Sequence, residues 1–392
     1  MKDTKRYNGD RLRLARLYNG YTIDELAKKV GISAQAESQY EIGKIEPQFD
    51  KIISLAKVLN FPIQFFFQKE GLEIISGSSY FRSLMKTPKK YRTEQKVKIE
   101  FLAKLYSILD EYIEFPKLNL PENVEGYSSP QEAAVQLREY WNLGERPIKN
   151  MVQLLEAQGI IVTSFKTNTD DIDAFSQFFK SYNKEFFIIA YSNNKNSAAR
   201  INFDLAHELG HIMLHPWSDD TENCSREDFK LKEKEANEFA SAFLLPEAAF
   251  SKDINFYSTK LYHYEELKKK WYVSIAAMLH RAYSLQIITP NQYQYSLRTM
   301  NAKKIRIIEP LDNVLEIPYP HLLRDSIELL ITSNVFTKSE LLDEFSNAGL
   351  PMESDEIEKL LALETGYLKV SMEDKKAPLI VLKFPESKTK KI

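Results

Sequence analysis

Residues 203–216 read FDLAHELGHIMLHP, and they carry three of the six histidines in this 392-residue chain, at His207, His211 and His215. In an α-helix, His207 and His211 stand one turn apart on the same face, so both imidazoles can bind one zinc ion. Glu208 lies beside them and can act as the base of a metalloprotease. The stretch therefore predicts a zinc site on an amphipathic helix.

A catalytic zinc ion takes a third protein ligand and keeps one position open. The next helical segment, residues 229–246 (FKLKEKEANEFASAFLLP), offers Glu233, Glu235 and Glu238. Helical periodicity turns Glu238 away from the buried face but leaves both Glu233 and Glu235 open as ligands. His215 lies in the last turn of its helix, where a histidine is more often a partner of the helix dipole than a ligand.

The pair HELGHIMLHP and EKEANEFASAFLLP resembles the ImmA/IrrE-type zinc metallopeptidases, and residues 130–310 follow the order of elements in that family. The resemblance implies an α+β, gluzincin-like domain that hydrolyses peptides. It implies Glu235, the glutamate before Ala236, as the third zinc ligand beside His207 and His211. Glu208 would be the general base. Family members are associated with cleavage of repressors, so the resemblance also implies a transcriptional repressor as the protein substrate.

A second informative group of residues lies near the start of the chain, at positions that can begin and end helices. Thr22 precedes Glu25 by three residues, which indicates a capping box, and Gly31 can end the helix that follows. Ser33 can cap another helix directly afterwards. The pattern predicts a helix, a tight turn and a second helix.

Residues 25–59 (ELAKKVGISAQAESQYEIGKIEPQFDKIISLAKVL) resemble an XRE-type helix-turn-helix. The resemblance implies that Ser33, Gln35 and Gln39 on the second helix reach bases or phosphates in the major groove. That helix has no Lys or Arg, and Glu37 stands where the family usually buries an apolar residue. Phosphate affinity would then depend on basic residues nearby, namely Lys28, Lys29, Lys44, Arg11, Arg13 and Arg16. The alternative is a module that docks on or dimerises with another protein. If the domain binds DNA, a homodimer on a two-fold site is the expected form.

Composition restricts the remaining choices. With 43% hydrophobic residues, 53 basic and 55 acidic side chains, the chain can build packed cores, and its net charge of -2 confines any DNA-binding surface to a local patch. The single cysteine, Cys224, excludes an internal disulfide framework. The chain shows neither a signal peptide nor a membrane span, and we expect a cytoplasmic protein.

These patterns predict a multidomain chain. An all-α helix-turn-helix domain (1–70) is followed by a helical connecting arm (71–129), which carries a basic run expected to be solvated or to face phosphates. The α+β metallopeptidase domain (130–310) comes next. A mostly helical C-terminal region (311–392) follows, and its sequence does not indicate a function. That last region should contain two helices, at 322–330 and 339–345, and a strand at 378–384.

The function favoured by these patterns is a zinc-dependent metallopeptidase coupled to a DNA-binding domain. The competing hypothesis is a non-enzymatic regulator or antitoxin-like DNA-binding protein with a structural zinc site. Glu208 favours the enzyme, because a purely structural site has no need of a base beside the metal.

Overall fold

A computed structural model describes residues 6–69, 73–81, 88–121, 126–165, 173–181, 184–194, 197–215, 225–254 and 258–370, with the backbone alone for 78–81. It contains an N-terminal helical domain, a central α+β region and a helical C-terminal region. The predicted multidomain fold class is confirmed. The strand predicted at 378–384 lies outside the described residues.

The N-terminal domain is a bundle of four helices and one 3-10 turn. Its elements are α1 (Gly9–Tyr18), α2 (Ile23–Val30), α3 (Ala34–Glu41), α4 (Phe49–Leu59) and the 3-10 turn Ile63–Phe67. Thr22 and Glu25 form the predicted capping box, and Gly31 ends α2 in the left-handed conformation, with φ of 71°. Ser33 caps α3 by accepting a hydrogen bond from the backbone N–H of Ala36. The predicted helix, turn and helix are therefore confirmed.

The arm after this domain contains a strand as well as a helix. β1 (Ile75–Phe81) precedes α5 (Lys89–Leu109). The strand was not predicted, because its sequence ISGSSYF lacks the alternation of apolar and polar residues that marks a half-buried strand. Part of the basic run on α5 makes ion pairs, since Lys90 lies 2.6 Å from Glu25 and Lys98 lies 2.6 Å from Glu94.

The central region is built on a four-stranded mixed sheet. Its helices and strands are α6 (Pro130–Tyr140), α7 (Met151–Ala157), β2 (Ile161–Phe165), β3 (Ala174–Ser181), β4 (Lys184–Ser192), α8 (Ala198–Leu214) and α9 (Arg226–Leu244). The strand order is β1-β3-β4-β2, with β2 parallel to β4 and β3 antiparallel to both of its neighbours.

The two faces of this sheet belong to different hydrophobic cores. Alternate residues of β3 and β4, such as Phe175 and Ile188, join the core that contains α5 and the N-terminal domain. Their neighbours Ala174 and Ile189 join the core that contains α8 and α9. This alternation follows from the period of two in a β-strand, and it fixes which side chains of β3 face α8.

Helices complete the central region and form the C-terminal one. They are α10 (Glu247–Ile254), α11 (Leu261–Trp271), α12 (Ile275–Ser284), α13 (Pro290–Ala302), α14 (Leu322–Thr332), α15 (Lys338–Asn347) and α16 (Ser354–Leu360). The two predicted C-terminal helices correspond to α14 and α15. The C-terminal helices share a core with the N-terminal domain, and the Tyr18 hydroxyl donates a hydrogen bond to Glu356 at 3.0 Å. Among the described residues, every helix is too short or too polar to cross a membrane.

Candidate metal centre and nucleic-acid interface

The metal-site helix α8 and helix α9 approach each other closely at a glycine. A Cβ atom placed on Gly210 would lie 3.1 Å from the carbonyl oxygen of Ala236 and 3.2 Å from its Cα. These distances are short for a carbon in van der Waals contact. Gly210 in the HELGH sequence therefore permits the crossing that brings side chains of α9 onto the histidine face of α8.

Three potential ligands meet at this crossing. His207, His211 and Glu233 each point one ligand atom into a common space, and both histidines are almost fully buried. The Nε2 atoms of His207 and His211 are 3.1 Å apart. The Glu233 carboxylate lies 3.3 Å from Nε2 of His211 and 3.6 Å from Nε2 of His207.

The distances to His211 and His207 involve different oxygens of the Glu233 carboxylate, Oε1 and Oε2, so the carboxylate faces both imidazoles. The separations of 3.1 Å between the imidazoles and 3.3 Å from Glu233 to His211 are close to those between ligands of one tetrahedral ion. With metal–ligand bonds of about 2.0–2.1 Å, two ligand atoms of a tetrahedral zinc site are about 3.3 Å apart. Two imidazole nitrogens and a carboxylate oxygen are also a donor set that suits zinc. Within the described residues, this is the group of histidine, cysteine and acidic side chains that could hold a metal ion.

The protonation states of these side chains suit a metal as well. Burial lowers the pKa of His211 to about 4, so its imidazole is neutral near pH 7. Burial would raise the pKa of Glu233, but the interactions of its carboxylate with His207 and His211 outweigh that effect and hold the pKa at about 2. Metal ligands must be deprotonated, and a carboxylate with neutral imidazole meets this condition.

The structure places Glu233, and not the predicted Glu235, beside His207 and His211. The Glu235 carboxylate lies 3.1 Å from Nε2 of His215, away from the space shared by His207 and His211. Two residues are separated by about 200° around a helix, so Glu233 and Glu235 cannot both face the same ion. Periodicity alone left both glutamates open, the family resemblance implied Glu235, and the structure brings Glu233 to the two histidines.

Asn237 supports the site from the same face of α9. It lies one turn after Glu233, its side-chain amide donates to the Glu233 carbonyl oxygen at 2.6 Å, and this contact orients the amide group. The Asn237 Oδ1 atom then faces Nδ1 of His207 at 3.2 Å. An oxygen can only accept there, so Nδ1 carries the proton and Nε2 is left free to bind a metal. The Asn of the EAN sequence was the signal available for this contact.

His215 and Glu235 support the other histidine. His215 is the C-cap residue of α8, and its Nδ1 atom lies 2.9 Å from Nδ1 of His211. If Nε2 of His211 binds a metal, its Nδ1–H donates to His215, and Nε2–H of His215 donates to Glu235. His215 was expected to interact with the end of its helix, and it does lie there as the C-cap residue. Its ring nitrogens, however, contact the side chains of His211 and Glu235.

Glu208, the predicted general base, is buried next to His207 in α8. It is 1% exposed, and one carboxylate oxygen accepts a hydrogen bond from the Ser176 hydroxyl at 2.7 Å. Ser176 comes from β3, so the sheet holds the carboxylate of α8 in place. Sequence reasoning missed Ser176, because nothing in the sequence of β3 shows which strand lies beside the metal helix.

The side chains predicted to contact DNA lie on the surface of the N-terminal domain. Lys28, Ser33, Gln35 and Lys44 are exposed, and Gln39 is half-buried. The structure therefore leaves all five accessible on or next to α3.

The charged residues near α3 differ from the expectation. Glu37 is fully buried, and Glu41 is paired with Arg16 at 2.5 Å, so these carboxylates do not form an acidic surface. Arg16 is consequently unavailable to phosphates. Arg11 is also buried, and it donates to the Lys69 carbonyl oxygen at 2.7 Å. The predicted contribution of these two arginines to phosphate binding is thus corrected.

Comparison with known families covers both regions. Residues 155–283 match the peptidase family model described as the IrrE N-terminal-like domain, and residues 12–66 match the model described as helix-turn-helix. The chain joins a helix-turn-helix domain to an IrrE N-terminal-like domain. The candidate metal-binding side chains on α8 and α9 lie inside the matched range 155–283. A comparison with curated proteins found no match.

The two matches confirm the family resemblance found in the sequence. They fall within the predicted domains at 1–70 and 130–310, whose bounds remain predictions. The IrrE N-terminal-like domain indicates a peptidase that acts on protein, and the helix-turn-helix domain indicates DNA binding. Together they describe a DNA-binding, protease-like regulator.

Proposed function

We propose that this chain is a zinc-dependent metalloendopeptidase whose substrate is a protein regulator. The observation that carries the proposal is the shared space of His207, His211 and Glu233, with the buried carboxylate of Glu208 next to His207 in the same helix. Three protein ligands leave the fourth position of a tetrahedral ion open for water or substrate, as in catalytic zinc sites.

The residues of the site have separate roles in hydrolysis. His207, His211 and Glu233 would hold zinc, which supplies a Lewis acid that polarises the scissile carbonyl and makes water more acidic. Glu208 takes a proton from the attacking water and gives it to the leaving amine. Ser176 holds the Glu208 carboxylate in place through its hydrogen bond.

We infer that the substrate is a transcriptional repressor. The support is the helix-turn-helix domain on the same chain as a peptidase domain, since a regulator that binds DNA meets other DNA-bound proteins at high local concentration. The DNA contacts are assigned to Ser33, Gln35, Gln39, Lys28 and Lys44. We further propose that the chain acts in the cytoplasm, and that it binds a two-fold DNA site as a homodimer.

The competing function is a non-enzymatic regulator with a structural zinc ion. Structural sites use four protein ligands, whereas the described residues bring three ligand atoms together. A structural site also has no use for a buried carboxylate next to the ligands. These two features favour the enzyme.

The deciding experiment compares the full-length chain with Glu208→Gln. Metal content is measured by mass spectrometry, and protein fragments are compared in cells that produce each form. We expect about one zinc per chain in both proteins and a loss of cleavage of about a hundredfold or more in Glu208→Gln. Equal cleavage by both would exclude Glu208 as the base, and zinc-free preparations of both would exclude the metal centre.

A further inference from the structure

The outer edge of β3 borders the reaction centre. β3 is paired with β4 on one side, and its residue Ser176 donates the hydrogen bond that holds Glu208. The other edge of β3 therefore runs directly beside the proposed base. An exposed strand edge presents unpaired N–H and C=O groups, which bind an extended peptide as an additional strand.

This edge is occupied by another part of the same chain. β1 pairs with β3 in the antiparallel direction, with Ile75 opposite Lys180 and Tyr80 opposite Ser176. The backbone of β1 thus pairs with the outer edge of β3 at Ser176, the residue that contacts Glu208. β1 lies at residues 75–81, far outside the matched range 155–283. The sheet of the peptidase domain therefore includes one strand from the connecting arm.

β1 has the features of a strand that is held weakly. Its register shifts between Ser76 and Ser79, where two residues of β1 lie opposite one residue of β3. Gly77 lies within this bulge, and glycine weakens a strand by its backbone freedom and its lack of a side chain to pack. Ile75 at the start of the strand is 67% exposed, so it adds little apolar burial.

We propose that β1 occupies the peptide-binding edge of the peptidase domain, and that substrates are extended polypeptide segments that replace it beside β3. The inference rests on the proposed function for its second half only. A segment that binds here must be unfolded or must lie in a flexible loop, because the backbone hydrogen bonds of a folded strand or helix are already used. Cleavage then requires the release of β1, so the free chain is held at low activity.

The binding test uses the full-length chain with Glu208→Gln, which prevents cleavage of the probe. The probe is a fluorescein-labelled peptide with the sequence of residues 73–82 (EIISGSSYFR), and binding is read by fluorescence anisotropy. Ser79→Pro/Tyr80→Pro opens the edge, because one of two consecutive residues in an antiparallel strand donates its N–H to the partner. Ile75→Cys/Lys180→Cys, made with Cys224→Ser, locks β1 on β3 when oxidised.

We expect the opened variant to bind the peptide about tenfold or more tightly than Glu208→Gln alone, because a larger fraction of molecules is competent to bind. The oxidised variant should not bind, and reduction should restore the affinity of Glu208→Gln. Amide hydrogens of β3 should exchange faster in the opened variant and regain protection when the peptide is added. Equal affinity of the locked and opened forms would overturn the proposal.

Folding and the peptidase hypothesis are controlled separately. The oxidised and reduced states of Ile75→Cys/Lys180→Cys compare one protein with itself, and both positions are exposed, so this pair decides the question if the proline variant does not fold. Catalysis is tested separately, by the comparison of protein cleavage in the full-length chain and in Glu208→Gln. Equal cleavage by those two proteins together with tight peptide binding by the opened variant would refute the proposed base and leave the strand exchange standing, whereas equal peptide affinity of the locked and opened forms would refute the exchange alone.

Discussion

Asn237 of α9 and Nδ1 of His207 on α8 lie 3.2 Å apart, so a side chain outside the ligand set joins the two helices of the metal centre. The same asparagine is tied to the backbone of Glu233. One residue therefore orients the His207 imidazole and anchors the turn that presents the Glu233 carboxylate. Such partners outside the ligand set fix the tautomer and the ring orientation of a metal-bound histidine.

Replacement of Asn237 should weaken zinc binding without abolishing it. We expect Asn237→Ala to lower zinc affinity by about 10- to 100-fold, the usual effect of removing such a partner. Competition with a chromophoric chelator measures this change. Glu238→Ala is the matched control on the next position of α9, because its carboxylate contacts Gln131 and no ligand. Equal affinity of Asn237→Ala and the control would remove the orienting role.

The two glutamates of α9 should respond differently to the same substitution. Glu233→Ala should lose bound zinc, because it removes one of three ligands. Glu235→Ala should keep zinc with reduced affinity, because its carboxylate reaches the site only through His215 and His211. Metal analysis after dialysis separates the two cases. Retention of zinc by Glu233→Ala with loss from Glu235→Ala would restore Glu235 as the ligand.

Glu37 should make the N-terminal domain less stable as pH rises. Burial first, and then the neighbouring Glu41, raise the pKa of Glu37 from 4.5 to about 7. The folded state therefore binds more protons than the unfolded state between these values, so this contribution to stability falls as pH rises from about 4.5 to about 7. The full effect is at most about 3 kcal/mol.

Glu37→Met should remove this pH dependence and slow the exchange of amide hydrogens in α1 to α4 at pH 8. The thioether fills the buried site without a charge to desolvate. Hydrogen exchange of the full-length chain at pH 5 and pH 8 measures the local opening. Glu46→Gln is the control, since Glu46 is exposed. The same pH dependence in wild type and Glu37→Met would assign it to another group.

Local patterns were sufficient to predict the main elements of the fold. The capping box at Thr22 and Glu25, the turn at Gly31 and the HELGH helix depend on residues within one or two turns, and each is present in the structure. Such short-range signals are encoded in a few neighbouring side chains. The fold class and both family assignments were therefore accessible before the structure.

Contacts between segments that are distant in the sequence could not be predicted from such local patterns. The choice between Glu233 and Glu235 depends on the rotation of α9 against α8, which the close contact at Gly210 sets. The role of Ser176 depends on sheet order. β1 gains its strand conformation from pairing with β3, some hundred residues later, and not from its own composition.

The last prediction concerns DNA recognition by α3. A two-fold operator with half-sites about one helical turn apart is expected for a dimer, and selection from random oligonucleotides with the full-length chain would identify it.

Gln35→Ala should then lose about 1–3 kcal/mol of discrimination at one base pair, because an exposed glutamine on this helix can make two hydrogen bonds to adenine. Lys28→Ala should weaken binding to all sequences alike and reduce the salt slope by about one, because a lysine that contacts phosphate carries no sequence information. Lys303→Ala, an exposed lysine outside the domain, is the charge-matched control. If no oligonucleotide is retained even at low salt, the exposed face of α3 is a protein-docking surface, and the regulator reaches its target without DNA.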